Sequence, residues 1–503
     1  MPRNYREIQK EIALTGFFSE YLPPCFSLNR KALNYTPTEN CDLIPPYSFS
    51  MSRFNGNDAR RTIFLPEIGS YVVAYRYMRD KRIIQELIDF TEKQHHSFSP
   101  ILGENNSIVR HEQMYDCLND DTFELSTDYI ENIGKKIILA SGAKKILKLD
   151  ISNCFASFYI HMIPAIILGA RLAQEEYEKD QKNETCSETY KKYKKLDEVI
   201  RKQNLNRTNG LLPGILTSKI IAEALLTRID MELEAAGFNF VRYVDDYEVF
   251  LYDDSEQSTI SEFSKKLKIY GFSLNYEKTE VVDFPYYIME NFNKILGEKL
   301  NKTMDTQDII DIFNSFLEME KNGTKGAVRF LVKVLQQKGV EVEMSNKELY
   351  KAYLISVMAN NERSLTKACS IFIDNQEAYP LSANDVESIN RLLDKHIIYE
   401  HDLEVIWLIY LLVKTRNLDA GSPLIGRVVN TQNELAQLIL LHNGLLHSDQ
   451  QVVIKEKAKS WILLYELFAR DSLSEEEFAG RLNLQHNLDM YKKFKSKDIH
   501  FIQ

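Results

Sequence analysis

Two adjacent acids, Asp245 and Asp246, lie within Val241-Arg242-Tyr243-Val244-Asp245-Asp246-Tyr247-Glu248-Val249-Phe250. Tyr, Val and Phe on both sides favour extended strands. An apolar strand, a tight turn and a second apolar strand would hold the paired carboxylates at an exposed tip. Two acids forced side by side repel each other unless a cation lies between them. Divalent Mg²⁺ suits such a pair, because it takes carboxylate and phosphate oxygens together. The plainer alternative is chance, since the chain also has Asp120-Asp121 and Asp253-Asp254. Those pairs lack apolar strands on both sides.

Other segments carry matching chemistry. Lys144-Lys145-Ile146-Leu147-Lys148-Leu149-Asp150 alternates as a strand and leaves Asp150 at its tip, with Phe155 on the following turn. A lone Asp after a strand is usually a helix cap, so Asp150 gains weight from the second pair of acids. Asn209-Gly210-Leu211-Leu212-Pro213-Gly214-Ile215-Leu216-Thr217-Ser218 opens a long apolar helix, and Gly and Pro at its mouth would let backbone approach a ligand closely. Leu274-Asn275-Tyr276-Glu277-Lys278-Thr279-Glu280 reads as a short strand or turn around a central Lys. Arg60 and Arg61 run into the strand Thr62-Ile63-Phe64-Leu65, where planar guanidinium donors would suit a triphosphate; a solvated surface pair is the alternative.

The elements that must position these residues fit within a chain of 503 residues with 44% hydrophobic content, enough for two or three domains. A net charge of −10 argues against a general nucleic-acid coat, whose non-specific affinity rests on excess Lys and Arg. The six cysteines show no zinc or disulfide spacing, which fits a reducing cytoplasm. The longest apolar run, Val405 to Val413, is far short of the about 20 residues that span a bilayer, so no membrane association is expected.

The first 52 residues read as a lead-in broken by Pro23-Pro24 and Pro45-Pro46, and carry Tyr5, Tyr21, Tyr35 and Tyr47. Tyr190-Lys191-Lys192-Tyr193-Lys194-Lys195 could stack a single nucleic-acid strand, or could be the wet face of an exposed helix, the simpler reading. From Thr306 onward, amphipathic stretches such as Ile309 to Leu317 and Trp461 to Phe468 predict successive helices with few strands. A solenoid-like array and a compact bundle both satisfy that pattern.

The order of these motifs, strand-Asp, Gly-helix, Tyr-x-Asp-Asp, then Leu-Asn-x-x-Lys-Thr, resembles the palm of a reverse transcriptase. Together with Ala59-Arg60-Arg61…Pro66 and Asn322-Gly323-Thr324-Lys325-Gly326-Ala327, it resembles the abortive-infection (Abi) reverse transcriptases over nearly the whole chain. The resemblance implies an α+β fold: reverse-transcriptase fingers and palm without a conventional thumb over residues 1–298, then an all-α, HEAT-like helical-repeat domain over 299–503. It implies that Asp150, Asp245 and Asp246 hold two Mg²⁺ ions, that Arg60 and Arg61 grip the triphosphate, and that Lys278 serves the leaving group. Phe155 would select deoxynucleotides, and Gly214 and Ser218 would line the template or nucleotide side.

The implied activity is phage-defence DNA synthesis from dNTPs in the cytoplasm of a bacterial host, template-independent and primed on a protein hydroxyl. Its single-stranded DNA product would then be attached to the protein. Tyr47, set on an exposed turn by Pro45-Pro46, is the first candidate primer, followed by Tyr35, Tyr21 and Tyr5. Homo-oligomers are also implied. Motif B here is Leu211-Leu212-Pro213-Gly214, without the Gln many reverse transcriptases carry, which weakens the case for ordinary template reading. Two alternatives stay open: a conventional RNA-templated, retron-like reverse transcriptase, and a helical scaffold that binds protein and keeps a silent polymerase site.

Overall fold

The β-branched and aromatic runs around the acids form antiparallel sheet in the computed structural model, which describes residues 3–37, 40–52, 60–103, 106–110, 128–286, 295–296, 300, 303–338 and 340–503. A two-stranded ribbon, β1 (Tyr47–Ser52) and β2 (Arg60–Leu65), comes first. Next in the chain come β3 (Lys145–Asp150), β4 (Phe240–Tyr243), β5 (Asp246–Leu251) and β6 (Glu280–Asp283), which build one four-stranded sheet in the order β4-β5-β3-β6. All its pairings are antiparallel, and the register sets Asp150 opposite Asp246.

Around the sheet lie α1 (Tyr5–Thr15), α2 (Ile68–Asp80), α3 (Ile83–Thr91), α4 (Asp128–Leu139), α5 (Cys154–Ser157), α6 (Ala165–Leu168), α7 (Ala170–Gln181), α8 (Glu188–Lys202), α9 (Leu216–Ala235) and α10 (Glu256–Ile269). The long α9 is buried along most of its length between Leu216 and Leu233, including its acids Glu223 and Asp230, with α1, α3, α6 and α10 packed around it. Tyr190 and Tyr193 of α8 are buried beside Leu196 and Ile200. Lys191, Lys192, Lys194 and Lys195 pair with Glu188, Glu86, Asp180 and Glu198 in turn. That segment is therefore an amphipathic helix with a wet lysine face, and its rings are not available for stacking bases.

The remainder is helical apart from a two-residue parallel pairing of β7 (Thr303–Met304) with β8 (Glu341–Val342). Its helices are α11 (Thr306–Lys321), α12 (Ala327–Lys338), α13 (Lys347–Asn360), α14 (Glu362–Asp374), α15 (Ala383–Ile398), α16 (Asp402–Lys414), α17 (Pro423–Val429), α18 (Glu434–His442), α19 (Ser448–Lys457), α20 (Trp461–Ala469), α21 (Glu475–Leu482) and α22 (Leu488–Ser496). Each packs on neighbours one or two places along the chain: α12, α14, α16, α18, α20 and α22 form one row, and α13, α15, α17 and α19 a second. Stacked helix pairs bury their apolar stripes in this way.

The array does not stand apart from the N-terminal half. Trp407 Nε1 donates to Tyr21 O at 2.7 Å, Trp461 Nε1 to Leu65 O at 3.4 Å and Tyr491 Oη to Glu67 Oε1 at 2.6 Å. One hydrophobic core runs from Ile8 to Ile502. The boundary expected between residues 298 and 299 lies outside the described residues. No described helix is long and apolar enough to cross a membrane.

Candidate active site

Sheet register brings the acids together. Asp150 ends β3, Asp245 occupies the β4–β5 turn and Asp246 begins β5 directly opposite Asp150. Backbone bonds lock the three: Ile151 N–H donates to Asp245 O at 3.2 Å, and Asn275 N–H to Asp150 O at 2.8 Å. The second bond fixes the segment after α10, so that Lys278 Nζ reaches Asp150 Oδ1 at 2.9 Å. Three carboxylates and one ammonium thus converge from four positions in the chain.

The electrostatics are those of crowded acids. Asp245 is pushed up to about 6, first by burial and then by the charge of Asp150. Asp246 is pushed up too, by burial of its carboxyl, by Asp245 and by a side-chain hydrogen bond with Asp150, although part of the residue faces solvent. Three hard carboxylates whose charge one ammonium only partly offsets fit Mg²⁺ chemically. The residues present therefore match the expected ion.

The turn itself is strained. Val244 has φ +58°, in the left-handed region that two-residue hairpins usually reserve for glycine. What holds it there went unrecognised in the sequence. Arg242, fully buried, donates from Nη1 to Val244 O at 2.8 Å, and to Glu223 at 2.8 and 3.0 Å and Asp230 at 2.7 and 2.9 Å. Asp230 Oδ1 accepts from Tyr247 Oη at 3.1 Å. The carboxylates of α9 thus grip, through one guanidinium, the peptide just before Asp245. An Arg three residues before an acid pair, with acids on a largely apolar helix, is the signal the sequence offers.

The other expected residues fall in two groups. Phe155, half-buried in α5, accepts through its carbonyl from Leu211 N–H at 2.9 Å, which ties the turn after Asp150 to the Pro213-Gly214 segment. Gly214 has φ +113°, and a Cβ there would meet Ile63 Cγ2 at 2.5 Å. The close approach predicted for this glycine is therefore to β2, not to a ligand; Phe64 N–H donates to Pro213 O at 2.9 Å. Ser218 is 4% exposed in the first turn of α9, inside the packed core.

Two expectations change. Arg60 and Arg61 do not form one clamp, because neighbouring strand residues point to opposite faces. Arg60 is engaged by Glu404, by Glu362 at 3.4 Å and by Ser50 Oγ at 3.2 Å. Arg61 lies over the Tyr21 ring at 4.9 Å. Tyr47 is not on an exposed turn: it is the first residue of β1, opposite Leu65, and is 8% exposed, because the two prolines lead directly into the ribbon. Tyr5 donates to Asp89 and Tyr35 packs on Phe494 at 6.1 Å.

No protein-family model and no curated protein matches the sequence. Among solved structures, the fold aligns with apo telomerase from Candida tropicalis at 10% identity, covering 80% of this chain and 70% of that one, with a TM-score of 0.32. It also aligns with telomerase from Candida albicans in complex with the TWJ fragment of telomeric RNA, at 12% identity, 82% and 66% coverage and a TM-score of 0.31. Likeness at this level does not assign the chain, and the functional reading rests on the carboxylate geometry.

Proposed function

We propose that the protein is a nucleotidyltransferase of the reverse-transcriptase type that extends a hydroxyl with deoxynucleotides. The observation that carries this reading is the convergence of Asp150, Asp245, Asp246 and Lys278 at one end of a small antiparallel sheet. Asp150, Asp245 and Asp246 would hold two Mg²⁺ ions, which when bound neutralise charge on the attacking hydroxyl and the leaving pyrophosphate. Lys278, hydrogen-bonded to Asp150, would give a proton to a phosphate oxygen. Phe155, anchored to the segment before α9, would crowd a ribose 2′-hydroxyl and favour dNTPs.

The finer reading is untemplated, protein-primed synthesis in phage defence by a homo-oligomer in the bacterial cytoplasm. The motif resemblance to abortive-infection reverse transcriptases and the missing motif B Gln support it. Tyr47 is too deeply buried to offer its hydroxyl, so Tyr21, Tyr35 and Tyr5 are the remaining candidates of the four.

The test is denaturing electrophoresis of the protein incubated with Mg²⁺ and one labelled deoxynucleotide at a time, without added nucleic acid. Label that survives denaturation should appear on the wild type and fall by on the order of 10³-fold or more in Asp245→Asn. Synthesis only when RNA template and primer are added would replace the finer reading with the retron-like one. No incorporation under either condition would overturn the polymerase reading in favour of a protein-binding scaffold.

A further inference from the structure

A second group of metal-ligand side chains lies in the helical array. Helix α15 ends in a Schellman turn: Glu400 takes φ +54°, His401 N–H donates to His396 O at 3.0 Å, and Glu400 N–H to Ile397 O at 3.3 Å. That closure folds the H-x₄-H stretch His396-Ile397-Ile398-Tyr399-Glu400-His401 back on itself. The imidazole centroids come to 5.1 Å and the two Nδ1 atoms to 2.9 Å. Glu362, first residue of α14, places Oε1 at 3.3 Å from His401 Nδ1. One ligand atom from each of Glu362, His396 and His401 lies within 4.8 Å of the others.

Protons alone serve this cluster poorly. Each Nδ1 carries at most one hydrogen when its ring is neutral. If His401 Nδ1–H donates to Glu362 Oε1, it has no lone pair to accept from His396; if it accepts from His396 Nδ1–H, it has no hydrogen for Glu362 Oε1. A cation at the centre satisfies all the acceptors together. The 3.3 Å spacing matches the ~3.4 Å edge of a tetrahedral site with metal–nitrogen bonds near 2.1 Å, and the 2.9 Å spacing needs the two imidazoles to part by about half an ångström. The surrounding charge also favours one, since Glu362 and Glu404 both contact Arg60, and Asp402 lies beside them, accepting from Ser50 N–H at 2.8 Å. That is three carboxylates around one guanidinium.

We propose that Glu362, His396 and His401 bind a divalent transition metal of the zinc class, separate from the carboxylate site on the sheet. Two imidazoles and a carboxylate are borderline ligands that select Zn²⁺ over Mg²⁺. His396 is wholly buried and His401 7% exposed, so the imidazoles lie inside the array and the site opens only at partly exposed Glu362. It joins α14, α15 and α16 at one corner, and through Glu362 and Arg60 it ties that corner to β2.

The test uses the full chain loaded with Co²⁺ and passed through a desalting column. The result expected is roughly one retained Co²⁺ per chain with the strong visible absorption of tetrahedral coordination, displaced by Zn²⁺ and unaffected by excess Mg²⁺. The Asp245→Asn variant keeps that signal, and His401→Gln loses it. Glu362→Gln, at the partly exposed start of α14, is the variant certain to report if His401→Gln fails to fold. With wild-type circular dichroism it should bind Co²⁺ at least tenfold more weakly. Weak octahedral-type absorption, loss of the signal in Asp245→Asn, or unchanged binding in a folded Glu362→Gln would each overturn the proposal.

Discussion

Asp245 lies where a carboxylate should be hardest to ionise, and that gives the site a signature independent of turnover. Its carboxyl is pushed up to about 6 by burial and by Asp150, and Asp246 is pushed up beside it. A carboxyl whose folded value lies above its unfolded value of about 4 binds more protons folded than unfolded between the two. Stability therefore falls as pH rises through that window and stays lower above it, by roughly 1–3 kcal/mol for shifts of this size. Without metal, the thermal midpoint of the wild type should drop relative to Asp245→Asn between pH 5 and pH 8. Mg²⁺ should raise the wild-type midpoint more at pH 8 than at pH 5, since it takes the place of the missing protons, and should barely move Asp245→Asn. Equal Mg²⁺ effects on both proteins would remove these carboxylates from metal binding. Lys278 belongs to the same balance. Lys278→Met should slow nucleotide incorporation by about 10²-fold or more, as expected for loss of a positioned proton donor, and should push the Asp pair still higher in single-turnover pH profiles.

At the scale of elements, the β4–β5 hairpin depends on α9 for its shape. Arg242 satisfies Glu223, Asp230 and the Val244 carbonyl together, with none of the guanidinium exposed. Replacing it with Met leaves two carboxylates buried without a cation, so Arg242→Met should lose about 3–5 kcal/mol in urea unfolding. Val244→Gly tests the strained turn in the opposite sense. It removes the Cβ penalty of the left-handed conformation, about 1–2 kcal/mol, at the cost of turn rigidity. Stability should hold or rise while incorporation falls; losses in both would mean that Val244 packing matters more than its φ. This hairpin also shows what the sequence made legible. The acids, their strands and Lys278 could be read because alternation and flanking apolar residues are local signals. From the sequence alone Arg242 reads only as a strand residue, since its partners lie 12 and 19 positions away as isolated acids on a largely apolar helix. Arg60 and Tyr47 lie elsewhere than expected for the same reason: the helices that engage them, through Glu404 for Arg60 and through Asp402, Glu434 and Leu435 for Tyr47, come more than three hundred residues later, and no local pattern announces that contact.

The whole molecule is organised so that the helical array and the sheet share one core, and the two tryptophans mark the joint. Trp407 on α16 and Trp461 on α20 both direct their indole N–H to backbone of the N-terminal half, at Tyr21 and Leu65. Phe17, Tyr71 and Phe501 complete the ring around Trp461 and its neighbours. The polar ties are of the same kind: Asp42 accepts from the backbone of Gln485, His486 and Asn487, and buried Glu67 accepts from Tyr491. An array of stacked helices would ordinarily unfold by its own nearest-neighbour rules. Here its last helices are clamped to α2, β2 and the N-terminal lead-in, so its unfolding must expose their core as well. Tryptophan emission, which reports only this joint, and far-ultraviolet circular dichroism, which reports helices everywhere, should therefore give coincident urea transitions. Trp461→Ala should shift both together by about 3–5 kcal/mol. If emission changes first and most of the helical signal persists to higher urea, the array is an independent folding unit, and the Arg60 contacts to Glu362 and Glu404 do not couple β2 to the helices in unfolding.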